Sequence, residues 1–267
     1  MNTNSTDADY QVVPLNAFND NYIWLLRKGD HAAVVDPGDA APVLAYLERQ
    51  QLNLCAILAT HHHGDHIGGI EDLLTQYEVP VFGPAGEPID MLTRPLVDGE
   101  RIELSELGAN FEVIAVPGHT RAHIAYYGRN HLNCGSLFCG DTLFACGCGR
   151  VFEGTPQQMR HSLARLAALP GTTRVYCAHE YTQANIRFAI AVEPENADLR
   201  SRAAEVAELR AGNRPTVPST IGMELAVNPF LRWKAPAVIA AAQRCSGKPL
   251  TQPDEVFAAI REWKNRF

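Results

Sequence analysis

The chain has no apolar run that approaches the roughly 20 residues of a membrane span, so an integral membrane protein is not expected. Residues 1–9 are polar, with two aspartates and no apolar centre, so no secretory leader is expected either and the cytoplasm is the expected compartment. The seven cysteines are odd in number and lack paired C-x-x-C spacing, which argues against a disulfide framework and against a cysteine zinc site. Cys146 and Cys148 read as packed thiols rather than catalytic ones. Positive charge is also short: the formal net charge is −7 and the pI is near 5.8, which disfavours a nucleic-acid partner, since phosphates need a basic surface. No internal repeat is visible, and a monomer is the expectation.

What is present is concentrated in Thr60-His61-His62-His63-Gly64-Asp65-His66, four imidazoles and a carboxylate within six positions. Packing does not explain such density, because His and Asp are mostly exposed types. It suits a borderline divalent metal that accepts imidazole nitrogen and carboxylate oxygen. The cluster follows a short apolar run, Leu54-Cys55-Ala56-Ile57-Leu58-Ala59, read as a buried strand. His61 and His63 are two apart and share a direction in extended chain. Asp65 and His66, after the Gly64 turn, can face a second point, so one motif can serve two ions.

Three more segments repeat the layout of strand, turn and ligand. They end in Pro117-Gly118-His119-Thr120, Gly140-Asp141-Thr142 and His179-Glu180-Tyr181. Ligands carried just beyond strand ends, on loops held by a sheet, are where α/β proteins place their chemistry. Strands are expected at 11–15, 22–27, 32–36, 54–60, 111–116, 122–127, 137–140 and 174–178. Helices are expected at 41–50, 67–76 and 157–169, then at 184–191, 197–211, 235–243 and 253–264. The chain thus divides into an α/β part, residues 1–180, and a helical part, residues 181–267, too small to count as an independent domain.

The order T-H-x-H-x-D-H, G-H-T, G-D-T and A-H-E-Y resembles the dinuclear pattern of the metallo-β-lactamase superfamily. Within it the chain resembles the glyoxalase II (hydroxyacylglutathione hydrolase) family nearly end to end. The likeness includes Ala17-Phe18-Asn19-Asp20-Asn21-Tyr22-Ile23-Trp24, Gly147-Cys148-Gly149-Arg150, Glu153-Gly154-Thr155, Asn228-Pro229-Phe230-Leu231-Arg232 and the tail Arg261-Glu262-Trp263-Lys264-Asn265-Arg266-Phe267. The resemblance implies a four-layer αββα sandwich with a C-terminal helical region. It implies that His61, His63 and His119 hold one metal, that Asp65, His66 and His179 hold the other, and that Asp141 bridges them. His62 and His123 are left out of the ligand set, His123 as a structural or supporting hydrogen-bonding group.

The implied reaction is hydrolysis of S-D-lactoylglutathione to D-lactate and glutathione, the second step of methylglyoxal detoxification. The nucleophile would be a hydroxide bridged by two divalent ions, with Asp65 and Asp141 as the carboxylates of the catalytic centre. Zinc is the first expectation, with iron and manganese as alternatives. No general acid stands out in the motif set, which suits a thioester with its good leaving group. The substrate is acidic and so is the chain, so a local basic cluster is required. Arg261 and Lys264, i,i+3 neighbours on a helix, are implied contacts for a glutathione carboxylate, together with Arg150 and Tyr181. Phe152 stands where some relatives would carry Tyr, which leaves its contact with substrate open. Rival readings are another hydrolase of the superfamily, a mononuclear iron persulfide dioxygenase sharing His61, His63, His119 and Asp141, or a module that only binds metal.

Overall fold

A computed structural model describes residues 10–129 and 135–267. The polar segment 1–9 lies outside the described residues. The first sheet is built from β1 (Gln11–Ala17), β2 (Asn21–Lys28), β3 (His31–Val35), β4 (Asn53–Leu58), β5 (Val81–Pro84) and β6 (Arg94–Leu96), neighbours in that order. The β1–β2 and β2–β3 pairs are antiparallel, and β3 through β6 are parallel. Between these strands run α1 (Ala40–Gln50), α2 (Gly64–Ile67) and α3 (Ile70–Leu74).

The second sheet contains β7 (Arg101–Leu104), β8 (Ala109–Ala115), β9 (Ile124–Arg129) and β10 (Gly135–Gly140). A two-stranded ribbon follows, β11 (Leu143–Phe144) with β12 (Gly147–Cys148), then α4 (Pro156–Ala167). The strand β13 (Arg174–Cys177) returns to the second sheet beside β10, in parallel, and β14 (Ser219–Thr220) covers its edge. Helices α5 (Thr182–Val192), α6 (Ala197–Ala211), α7 (Ile221–Val227), α8 (Pro236–Ser246) and α9 (Pro253–Arg266) make up the C-terminal region.

The layers follow from period-two burial. In β2, Tyr22, Trp24 and Leu26 point into the space between the sheets, while Ile23 and Leu25 point outward under α1 and α3. In β3, Ala33 and Val35 face inward and Ala32 and Val34 outward. A bulge shifts the β3–β4 register at this point, so that Cys55 and Ala56 both face the inner cluster before alternation resumes at Ile57 and Leu58. Val43 and Leu47 of α1 with Ile70 and Leu73 of α3 cover the outer face. Phe111, Tyr126, Phe138 and Tyr176 fill the inner space from the second sheet. Met159, Leu163 and Leu166 of α4 join the same cluster, as do Val256, Phe257 and Ile260 of α9.

The helical region is therefore divided in its loyalties. Ile186, Ala189, Leu199, Val206 and Val227 form a small cluster of their own around Cys146, whereas α8 and α9 share the main core. Among the described residues no helix is long and apolar enough to cross a membrane.

Two expectations need correction. The single helix expected at 67–76 is two short ones, broken at Gly68-Gly69. A Cβ on Gly69 would lie 2.4 Å from the Ala40 nitrogen, and the Gly69 N–H donates to Pro37 O at 2.9 Å, so the backbones touch where the helix would continue. Strands β5, β6, β7, β11, β12 and β14 and helix α7 were not expected. Val-Phe-Gly-Pro and Arg-Pro-Leu carry proline and glycine, which depress strand propensity, and parallel pairing overrides them.

Candidate metal centre

Every candidate ligand sits at one rim of the sandwich, just past a strand end. β4 delivers His61, His63, Asp65 and His66; the β8–β9 connection delivers His119; β10 delivers Asp141; β13 delivers His179. The rim is stitched by backbone bonds between the sheets: Tyr22 N–H to Ala178 O at 2.7 Å and Ile124 N–H to Thr60 O at 3.0 Å. Gly140 turns the chain into Asp141 with φ +46°, and a Cβ there would lie 2.3 Å from Thr60 Oγ1.

The seven residues separate into two groups. His61 Nε2 and His119 Nε2 lie 3.1 and 3.0 Å from His63 Nδ1. On the other side, Asp65 Oδ2 is 3.5 Å from His66 Nε2 and 3.4 Å from His179 Nε2. Asp141 reaches both groups. Its Oδ1 is 3.5 and 3.3 Å from His66 and His179 Nε2, and its Oδ2 is 3.4 Å from His119 Nε2.

The far side of most rings is fixed. His61 Nδ1 meets Thr60 Oγ1 at 3.1 Å, and that hydroxyl donates to Asp36 Oδ2 at 2.8 Å. His119 Nδ1 meets the Arg150 carbonyl at 2.8 Å. His66 Nδ1 meets Asp36 Oδ2 at 3.1 Å, and His179 Nδ1 meets Asp20 Oδ1 at 2.8 Å. Asn21 Nδ2 donates to Asp65 Oδ2 at 2.9 Å. Such partners keep Nδ1 as the donor in each of these four rings, so that Nε2 is the atom turned toward the centre and carries a lone pair whenever the ring is neutral.

Divalent cations fit this arrangement. Three imidazole nitrogens crowd one point, and His66 Nε2 and Asp141 Oδ1 are buried without a hydrogen-bond partner. Two groups of three donors, His61–His63–His119 and Asp65–His66–His179, are each compact enough to surround an ion. Burial, reinforced by the neighbouring imidazoles, pushes His61 well below its ordinary pKa, and burial lowers His63 and His119 as well. These three rings are therefore neutral, the form that binds metal. In the other group burial opposes protonation, yet Asp141 and Asp36 outweigh it and raise His66 to about 9. His179 is raised for the same reason by Asp141 and Asp20. Burial would raise the Asp141 carboxyl, but His66, His179 and His119 hold it far below the usual range.

Of the two histidines excluded as ligands, His123 is a spacer. Its Nδ1 meets Ile124 O at 3.0 Å and its Nε2 accepts from the Asp141 N–H at 3.1 Å. His62 turns away from the centre, toward Glu87 and Glu153. The residues that sequence reasoning did not assign are the supporting ones. Asp20, Asn21 and Asp36 lie in strand–turn–polar segments that could have been found by the same layout as the ligands. Glu87 follows Pro-Ala-Gly and carried no signal.

A cleft of about 440 Å³ opens from His119 and Asp141 toward the C-terminal region and is lined by Phe144, Arg150, Phe152, Tyr181, Arg261 and Lys264 among others. Tyr181 stacks on His179 at 4.7 Å, and burial with Asp20 and Asp141 pushes its phenol up to about 12, so it stays a donor. Phe152 is exposed, its ring 5.3 Å from that of His119. Arg261, expected to contact a glutathione carboxylate, is buried, with Nη1 donating to Cys148 O at 3.0 Å and Nη2 to Asn265 Oδ1 at 3.1 Å. Lys264 Nζ donates to Ala184 O at 3.2 Å, and burial with nearby Arg261 and Arg187 lowers it to about 8. Cys146 and Cys148 are buried, and burial raises both thiols, which suits packing.

A helix-flanked double sheet with a His/Asp centre of this kind at its rim defines a metallo-β-lactamase superfamily protein, and residues 18–179 match the model of that superfamily. Residues 180–267 match the model described as hydroxyacylglutathione hydrolase C-terminus. The hydroxyacylglutathione hydrolase of Nitrosomonas eutropha is 53% identical over 96% of this chain and 98% of its own length. That of Ectopseudomonas mendocina is 56% identical over 96% and 99%. Among solved structures, that of TTHA1623 in a di-iron-bound form is similar with TM-score 0.56 and 26% identity, over 83% of this chain and all (100%) of that one. The chain belongs to the hydroxyacylglutathione hydrolase family.

Proposed function

We propose that the protein hydrolyses S-D-lactoylglutathione to D-lactate and glutathione with two divalent cations held at the rim. The observation that carries this is the cleft, which joins the His/Asp centre to Tyr181, Arg150, Arg261 and Lys264 in one continuous space. His61, His63 and His119 would hold one ion and Asp65, His66 and His179 the other, with Asp141 between the two groups. Such ions lower the pKa of a nearby water and polarise a thioester carbonyl. Zinc is the proposed occupant, and the di-iron form of the structural relative makes iron the first alternative.

The chain's own groups do the rest. Lys264 supplies an ammonium for a glutathione carboxylate, and the Tyr181 hydroxyl donates beside the reacting end. Arg150 is exposed at the cleft mouth and adds a second cation. Arg261 holds the wall in place through Cys148 O while lending its charge to the site. Residues 1–180 are proposed as the catalytic part and 181–267 as the substrate-binding part.

The test is thiol release from S-D-lactoylglutathione by metal-replete protein, with acetyl-CoA as a control thioester and a chelated sample alongside. Rapid turnover of the glutathione ester alone, lost on chelation, supports the proposal. No turnover in replete protein returns the substrate to the wider superfamily. Lys264→Ala should raise KM about tenfold with kcat nearly unchanged, the scale of one charged hydrogen bond. In the parent, KM should climb as pH rises through about 8, where Lys264 loses its proton.

A further inference from the structure

The three-histidine group draws its ligands from two separate loops. His61 and His63 leave β4, while His119 belongs to the connection between β8 and β9. The two loops are joined by a carboxylate that touches none of the three ligands. Glu87, on the loop after β5, is 8% exposed. Its Oε1 accepts from Thr120 Oγ1 at 2.6 Å and from the Ala122 N–H at 2.9 Å. Its Oε2 is in hydrogen-bond contact with Nδ1 of His62, the residue between the two ligands of the other loop. A second strap runs parallel to the first. His62 Nε2 lies 3.3 Å from Glu153 Oε1, and Glu153 Oε2 accepts from the Arg121 N–H at 3.1 Å.

We propose that Glu87, through His62 on one side and Thr120 and Ala122 on the other, is a positioning residue that sets the spacing of His61 and His63 against His119. The inference rests on the two-ion reading of the site. A buried carboxylate is costly unless its oxygens are satisfied, and here three donors from two loops satisfy it, so losing Glu87 leaves the two loops joined only by the weaker strap through Glu153. The Asp65 group needs no such brace. Asp65 and His66 are adjacent on α2, and His179 is tied to Asp20 and bridged by backbone to Asn21. Removing Glu87 should therefore loosen one ion and not the other.

The experiment uses the full chain loaded with cobalt(II), as wild type, Glu87→Ala, Glu87→Gln and His62→Ala. Bound metal per chain and the cobalt absorption bands are followed against rising chelator, with urea unfolding measured alongside. Glu87→Ala should release one ion at about tenfold lower chelator, the lower end of the effect of groups that support metal ligands, while the second ion leaves where it does in wild type. His62→Ala should move the same ion in the same direction. Glu87→Gln should recover most of the loss, because its amide oxygen still accepts from Thr120 and Ala122. Release unchanged in Glu87→Ala, or both ions shifting together, overturns the proposal, the second result marking a general loss of stability. A wild-type chain that holds a single ion overturns the two-ion reading instead. The brace is then judged on whether Glu87→Ala weakens that ion and Glu87→Gln does not.

Discussion

The two halves of the centre are built on opposite electrostatic plans. Around His61, His63 and His119 the direct supports are a hydroxyl and a carbonyl, and the rings are pushed toward neutrality. Around Asp65, His66 and His179 the supports are the carboxylates of Asp36 and Asp20, and the rings are drawn toward protonation. One half is a nitrogen cage assembled from two loops. The other is an anionic pocket preorganised by strand ends. A cation gains from lone pairs in the first and from net negative charge in the second, which inclines the second toward the harder ion.

Asp141 has one oxygen 3.5 and 3.3 Å from the His66 and His179 rings and the other 3.4 Å from His119, so it reaches both halves and its loss should be the most severe. Asp141→Asn should reduce kcat for thiol release about a thousandfold, the upper range for removing one element of charge stabilisation. A residual rate within tenfold of the parent would mean that the halves act independently. Next in size, Asp20→Ala should weaken metal binding in the acidic half about 10- to 100-fold through misorientation of His179, with the three-histidine half unaffected in chelator titration. Equal weakening of both ions would erase the distinction.

The smallest effect is the most diagnostic. In metal-stripped protein, His61, His63 and His119 have folded pKa values below the ordinary 6.5. Their neutral forms belong to the folded state, so their contribution to stability is present above pH 6.5 and is lost as pH falls below it. His66, raised to about 9, and His179 do the opposite. Their contribution is present below pH 6.5 and is lost as pH climbs through about 9. Urea midpoints of stripped protein should therefore peak near pH 6.5 and fall on both limbs, while metal should flatten the alkaline limb, where the bound cation replaces the protons. A single monotonic slope would break the comparison.

The candidate ligands were legible because each follows an apolar strand, and β8 was legible because its buried and exposed residues alternate. The sandwich brings all seven named residues to one rim. What escaped was whatever depends on pairing across the chain. β6 is Arg-Pro-Leu and exists because β5 lies beside it. The burial of Arg261 was hidden because a helix C-terminus favours cations in either case, as guest-binding groups or as solvated ends. Glu87 was invisible because its partners are 25 to 35 residues away, on loops that only the folded rim brings together.

The turn between β11 and β12 has one further consequence. Its backbone is gripped from the helical region: Asn228 Nδ2 donates to Phe144 O at 3.1 Å and Gly147 O at 2.9 Å, Asn185 Nδ2 to Ala145 O at 3.1 Å, and Glu224 accepts from the Cys146 N–H at 2.7 Å. Asp141 lies just before this ribbon, and Arg261 clasps its far end at Cys148. Because Leu143 pairs with Cys148, the two ends of the ribbon lie side by side, and Asp141 and the backbone held by Arg261 are neighbours on one short, clamped piece of chain. Whatever shifts that piece shifts the Asp141 carboxylate and the cationic wall of the cleft together.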